Sequence, residues 1–96
     1  MKIYVDIDNT ICRTIGNDYA NAIPYPKNIE KINKLYEQGH TIIYWTARGC
    51  RSGIDHSELT TNQLLKWRCR FDSIIVGTKP DYDLLICDKT RRLEEL

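Results

Sequence analysis

The sequence predicts an α/β fold in which a mostly parallel sheet of about four strands is flanked by helices. Apolar runs of strand length alternate with segments of helical period in the order βαβαββ. The second of those runs is continuously apolar, as a strand covered on both faces must be. Acidic and hydroxyl residues stand where strands end, the position at which open α/β sheets meet their ligands.

Met1 to Val5, with Ile3, Tyr4 and Val5, is β-branched and aromatic without helical period and reads as a buried strand leading into Asp6. Cys12 to Tyr25 is polar, carries Gly16, Asn17 and Asp18 and runs into Pro24 and Pro26, which predicts a surface loop or flap. Ile29, Ile32, Leu35 and Tyr36 then recur at three- and four-residue steps, and Gly39 follows them, so an amphipathic helix spans Lys27 to Gln38. Thr41 to Thr46 is a second strand and Ala47 to His56 a polar loop. Thr60 and Gln63 have the spacing of a capping box and Leu59 and Leu64 that of a hydrophobic staple, which predicts a second helix from near Thr61 to around Cys69. Ser73 to Val76 is a third strand, Gly77 to Tyr82 a turn and Asp83 to Cys87 a fourth strand. Parallel neighbours need crossover connections, and these are right-handed.

Ninety-six residues make one domain, 1–96, that buries a little over ~60% of its unfolded surface. Hydrophobic residues are 42% and charged residues 28% of the chain, an ordinary globular balance. A formal net charge of +1 argues against a chain-wide field for nucleic acid or an anionic membrane, so any electrostatic recognition is local. The four cysteines, Cys12, Cys50, Cys69 and Cys87, form no CxxC pair, and the chain opens on a strand rather than a signal-peptide pattern. A reduced, cytoplasmic protein is expected, with no zinc site. No apolar run approaches the ~18 residues of a membrane span.

Asp6, Asp8 and Thr10 lie at the end of the first strand. Two carboxylates there suit Mg²⁺, which takes hard oxygen ligands and screens phosphate charge so that a carboxylate can attack phosphorus. By itself such a pair is more often a solvated edge or a turn former. Thr46 ends the second strand, Lys79 precedes the fourth and Asp88 ends it. Three acids, a hydroxyl and an ammonium at strand ends make a constellation for a metal and a phosphate together.

An apolar strand followed by Asp6-Ile7-Asp8-Asn9-Thr10, a strand with Thr46, then Lys79, then a strand with Asp88 resembles the four ordered motifs of the haloacid dehalogenase superfamily. Within it, Tyr44-Trp45-Thr46-Ala47-Arg48-Gly49 and Lys79-Pro80-Asp81-Tyr82-Asp83-Leu84 are similar to the small capless capsule-biosynthesis phosphatases. The resemblance implies a Rossmannoid fold and an Mg²⁺-dependent phosphatase. Asp6 would be the nucleophile that forms an aspartyl phosphate, and Asp8 the general acid and then base. Thr46 and Lys79 would hold phosphate oxygens, and Asp6, the Asp8 carbonyl and Asp88 the metal. The alternative for Thr46 is a turn or helix cap, and for Lys79 a surface charge. Two positions depart from the family: Cys87 stands where a second acid is frequent, and Asn9 where Gly is frequent, Asn being tolerant of unusual backbone angles.

Arg48 reads either as a contact to substrate phosphate or carboxylate or as a helix-side salt bridge. His56 reads as the start of the second helix or a surface residue, with a place facing the site as the alternative; His40 reads as a surface residue, and Trp45 and Trp67 as core, with a stacking platform for bases as the alternative. The chain has room for only the Ile11 to Pro26 flap and no large cap, so the site is open unless a second copy of the chain covers it. A small phosphorylated molecule, a sugar phosphate first, is the expected substrate. The alternatives are a polynucleotide phosphate end, or a module that binds phosphate and metal without turnover.

Overall fold

The structure, a computed structural model, describes residues 1–50, 52–77 and the strand 84–86. Its sheet is built from β1 (Lys2–Asp6), β4 (Thr41–Thr46), β5 (Ser73–Val76) and β6 (Leu84–Ile86) in the order β5-β4-β1-β6, all parallel. A two-residue ribbon, β2 (Cys12–Arg13) with β3 (Ile23–Pro24), and a single 3₁₀ turn, Tyr19–Asn21, order the flap. Helix α1 is Pro26–Glu37 and α2 is Ser57–Lys66. The chain runs outward from β1 to β4 to β5 and then returns to the other side of β1, so the strand order reverses beside β1. Doubly wound sheets bind ligands at this crevice.

Alternation along the strands sorts the core into two clusters. Ile3 and Val5 of β1 and Ile42 and Tyr44 of β4 face Ile29 and Ile32 of α1 and Leu64 of α2 in the larger one. Tyr4 and Ile43 point the other way and pack with Trp45 and Ile75. The period-two geometry of the pleat, acting on strands whose interior positions are all apolar, therefore supplies both faces. Ile7 and Ile11, both 0% exposed, extend the larger cluster beneath the loop after β1.

Helix α1 starts with Pro26 at its first turn, where a missing N–H costs nothing, and stops at Gly39, whose φ of 94° few other residues adopt. The His40 N–H closes the end on the Leu35 carbonyl at 3.2 Å. The flap is more ordered than a surface loop: Ile11, Cys12 and Thr14 are buried and Tyr25 N–H bonds the Ile11 carbonyl at 2.8 Å. Helix α2 begins at Ser57, four residues before the sequence-based start, with His56 as its cap residue. The Thr60–Gln63 pair thus sits inside the helix and caps nothing. At the real start the exposed Asp55 carboxylate accepts the Ser57 N–H at 2.9 Å, and the hydrogen bonds from Ser57 hold its carboxyl below the usual range. The third strand has the expected bounds, and Leu84–Ile86 forms the middle of the expected fourth. The Gly77 to Tyr82 turn beyond Gly77, the strand ends Asp83 and Cys87, and Lys79 and Asp88 lie outside the described residues. Among the described residues no helix is long and apolar enough to cross a membrane.

Cys69, buried beneath α2, has its thiol pushed up to about 12 chiefly by burial. A group whose folded value lies above its unfolded one contributes stability that is whole below the unfolded value and is lost as pH rises through the folded value. Resistance to urea should therefore decline as pH climbs from about 9 toward about 12, and Cys69→Ala, though less stable at neutral pH, should show a shallower alkaline decline. Parallel slopes for the two proteins would remove Cys69 as the cause.

Candidate functional site

Asp6 ends β1 in register with Trp45 of β4, and Thr46, the next residue on β4, pairs with Val76 of β5. The carboxyl ends of the central strands therefore present Asp6, the turn after it and Thr46 at one edge. Asp6 is partly buried, and its Oδ1 accepts the Ile7 N–H at 2.9 Å. After Ile7 the chain turns tightly: Thr10 and Ile11 N–H groups both reach the Ile7 carbonyl, at 3.2 and 3.1 Å, and Asn9 takes a φ of 63°. Asn is among the few side chains that enter this left-handed region readily, which accounts for its place here. Its Oδ1 also receives the Thr14 N–H at 3.3 Å, tying the turn to the flap.

Asp8 lies at the centre of a polar network. Arg48 Nη2 donates to its Oδ1 at 2.7 Å, and Arg48 Nε reaches Oδ1 and Oδ2 at 3.2 and 3.0 Å. Thr14 Oγ1 donates to Oδ1 at 2.7 Å, and Thr46 Oγ1 to Oδ2 at 3.2 Å. The Arg48 side chain is 0% exposed and that of Asp8 22%. Arg48 Nη1 donates to Thr60 Oγ1 at 3.2 Å and Gln63 Oε1 at 2.6 Å, and the guanidinium carbon sits 4.7 Å from the centre of the Tyr19 ring. Such a charge is tolerated in an interior only when it is paired and hydrogen-bonded, and the turn after β1, the flap and α2 each contribute to that. The geometry displays a salt bridge for Arg48, but a buried one to Asp8 of the turn after β1 rather than one on the side of a helix.

Thr46 is 1% exposed, its hydroxyl donating to Asp8 and accepting the Arg48 N–H at 3.2 Å. Cys12 Sγ lies 3.6 Å from the Ile7 carbonyl and 3.5 Å from Thr14 Oγ1; burial raises its thiol above the ordinary value, the Thr14 bond opposes this and the nearby Asp8 charge adds to it. His56 stands at the start of α2 with its ring edge-on to Tyr19, centroids 5.0 Å apart. His40 and Trp67 are partly buried, Trp67 against the larger core. Between the flap and the 47–56 loop lies a cavity of about 450 Å³, lined by Asn17, Tyr19, Gly49, Ser52, Ile54 and His56 among others. Its volume falls in the range of small-molecule sites.

The structure thus brings Asp6, Asp8, Thr46 and Arg48 to one end of the sheet, while Lys79 and Asp88 are outside the described residues. Sequence reasoning missed Thr14, Tyr19, Thr60 and Gln63. The last two did leave a signal: polar residues three apart on a helix share a face, and here that face is the buried one.

No protein-family model and no curated protein sequence matches the chain. Solved structures do. The fold superposes on the crystal structure of a protein from Vibrio cholerae with a TM-score of 0.78 and 29% identity, over 98% of this chain and 85% of that one. It is also similar to the D,D-heptose 1.7-bisphosphate phosphatase of B. bronchiseptica, crystallised with magnesium and phosphate. There the TM-score is 0.58 and the identity 19%, over 85% of this chain and 52% of that one, so the chain spans about half of that enzyme's length. The fold is haloacid-dehalogenase-like. At this identity the second likeness is one of fold alone.

Gly49 leads out of the site with a φ of 83°, and a Cβ built there would run into the Ile54 carbonyl oxygen. Both strain and collision fall on backbone that cannot swing aside. Gly49→Ala should lose about 1–3 kcal/mol or more of stability in urea unfolding, whereas Gly53→Ala, whose Cβ meets nothing within 4 Å despite a φ of 74°, should lose less. Equal losses would remove the collision as the cause.

Proposed function

We propose that this chain is a phosphatase of the haloacid-dehalogenase type, one capless domain over residues 1–96, that hydrolyses a small phosphomonoester in the cytoplasm. The observation that carries the reading is the placement of Asp6 and Asp8 at the carboxyl end of β1, where the strand order reverses, with Thr46 of β4 bonded to Asp8. Free Cys12, Cys50 and Cys69 are in keeping with a reducing compartment.

In this reading an Asp6 oxygen attacks phosphorus as the bond to the leaving oxygen breaks, and Asp8 gives that oxygen its proton. Asp8 then takes a proton from water, whose oxygen displaces Asp6 and releases inorganic phosphate. Thr46 and Lys79 supply donors to the phosphoryl oxygens. For Thr46 this requires its hydroxyl, now given to Asp8, to be shared with the substrate.

Among the described residues no three His, Cys, Asp or Glu side chains converge on a metal position. The donor chemistry nevertheless suits Mg²⁺, because Asp6 offers a carboxylate while the Asp8 side chain is engaged by Arg48, Thr14 and Thr46, which leaves Asp8 to contribute its carbonyl. Asp88 would complete the set. When bound, the ion would neutralise phosphate charge as the anionic nucleophile approaches. The cavity beside Tyr19 and His56 accommodates the leaving group, and its Asn17 and Ser52 side chains suit hydroxyl partners such as those of a sugar phosphate. A second copy of the chain beside that cavity would narrow the choice of substrate.

With Mg²⁺ and an aryl phosphate, Asp6→Asn should be inactive and Asp8→Asn should lose at least ~100-fold, the low end of general acid–base contributions. Hydrolysis near the wild-type rate by Asp6→Ala, in protein free of contaminating phosphatase, would exclude the mechanism. A panel of sugar phosphates, nucleotides and phosphorylated oligonucleotide ends, run alongside, assigns the substrate class.

Lys79→Ala should weaken binding of a vanadate or fluoride phosphate mimic by at least ~10-fold, the loss of one charge-assisted hydrogen bond. Unchanged affinity in titration calorimetry would move the phosphate pocket elsewhere.

A further inference from the structure

Arg48 heads the fully buried side chains of the described residues by volume, and its charge is directed inward at Asp8. The two Asp8 oxygens are unlike in consequence. Oδ1 is 2.7 Å from Arg48 Nη2, 3.2 Å from Arg48 Nε and 2.7 Å from Thr14 Oγ1. Oδ2 has only the Arg48 Nε at 3.0 Å and the Thr46 hydroxyl at 3.2 Å. Arg48 therefore grips both oxygens; Thr14 adds a further donor to Oδ1, while the second donor on Oδ2 is the Thr46 hydroxyl at the strand end.

We propose that Arg48 is a positioning residue: with Thr14 it fixes the plane of the Asp8 carboxylate, so that Oδ2, the oxygen beside Thr46, is the one that exchanges the proton with the leaving group as the Thr46 hydroxyl is given up to the phosphate. The proposal rests on the phosphatase reading above. In that reaction the proton leaves Asp8 Oδ2 for the leaving oxygen as the P–O bond breaks and the Asp6–phosphorus bond forms. The same oxygen later takes a proton from the attacking water. Rotation about the Asp8 side chain would exchange the two oxygens, and the fork of Arg48 opposes it, since a planar guanidinium gripping both oxygens fixes their plane as a point charge cannot.

Arg48 is itself held against movement. Thr60 and Gln63 bond Nη1 from α2, and the Tyr19 ring covers the guanidinium from the flap. Gln63 Nε2 also donates to the Tyr19 carbonyl, so helix and flap are joined to each other where both touch the arginine. A residue meant for the substrate would keep a donor facing the cavity. Arg48 instead turns three of its nitrogen positions to protein acceptors inside a fully buried side chain.

Proton donation matters most when the leaving oxygen is a poor leaving group, and this separates positioning from a contact to the phosphate, which all substrates share. Full-length wild type, Arg48→Met, Arg48→Lys and Thr14→Val are compared with Mg²⁺ on p-nitrophenyl phosphate and on glycerol 2-phosphate. The readout is kcat/KM, which reports the steps up to phosphoryl transfer. Arg48→Met should lose on the order of 100-fold on the glycerol ester, the scale of a 1 Å misplacement, and far less on the nitrophenyl ester. Arg48→Lys should recover part of the loss. Thr14→Val, which keeps the ion pair and decides the matter should Arg48→Met fail to fold, should show the same ester-selective loss in weaker form. Equal losses on the two esters, in either variant, overturn the proposal while leaving the phosphatase reading intact. Absence of Asp6-dependent hydrolysis of both esters by the wild type overturns the two together.

Discussion

A guanidinium with no exposed surface sits at the junction of the flap, β4 and α2, and its charge has to be met from within. Removing an ion from water costs several kcal/mol even after relaxation, and the attraction of a partner compensates only when the remaining donors are satisfied. Asp8 supplies the opposite charge, Thr60 and Gln63 the acceptors, and Tyr19 a ring face. Each lies in a different stretch of the chain. The ion pair is therefore a requirement that β1's following turn, the flap, the loop after β4 and α2 all take up one mutual arrangement. Gly49, with its positive φ and its backbone against Ile54, shapes the loop that departs directly after the arginine.

The sheet sets the frame in which that requirement is met. Two crossovers carry the chain outward from β1, the return to β6 places strands on both sides of β1, and the reversal opens the crevice beside its carboxyl end. The apolar interiors of β1, Ile3 to Val5, and of β4, Ile42 to Trp45, hold the strands from both faces, and the polar groups stand at the strand ends. The site is in this sense a by-product of packing. What the ion pair adds is the orientation of a carboxylate that the packing alone would leave free to turn.

Much of this was visible beforehand. The bounds of β4 and β5, the amphipathic pattern of α1 with Gly39 behind it, and the tolerance of Asn9 for a positive φ all follow from local rules that need only neighbouring residues. The start of α2 did not follow. Thr60 and Gln63 have the chemistry and spacing of a cap, but a cap and a pair of interior acceptors are written with the same polar residues. Only the arrival of Arg48 tells them apart, from 12 and 15 positions away. The flap misled for a related reason: its polar composition marks a loop, yet Thr14 is buried because its hydroxyl has Asp8 to bond.

The sequence by itself determined the alternation of strands and helices and the residues that end β1 and β4, and hence that Asp6 and Thr46 stand at the ligand-facing edge. These depend on hydrophobic period and on backbone preferences, both short-range properties. Tertiary structure alone decided that Arg48 turns inward, that it takes Asp8 across 40 residues of chain, and that Thr14, Tyr19, Thr60 and Gln63 join them. The reason is that a buried charge acts over distance in space and is indifferent to distance along the chain, so its partners are chosen by the fold that brings them within about 3 Å.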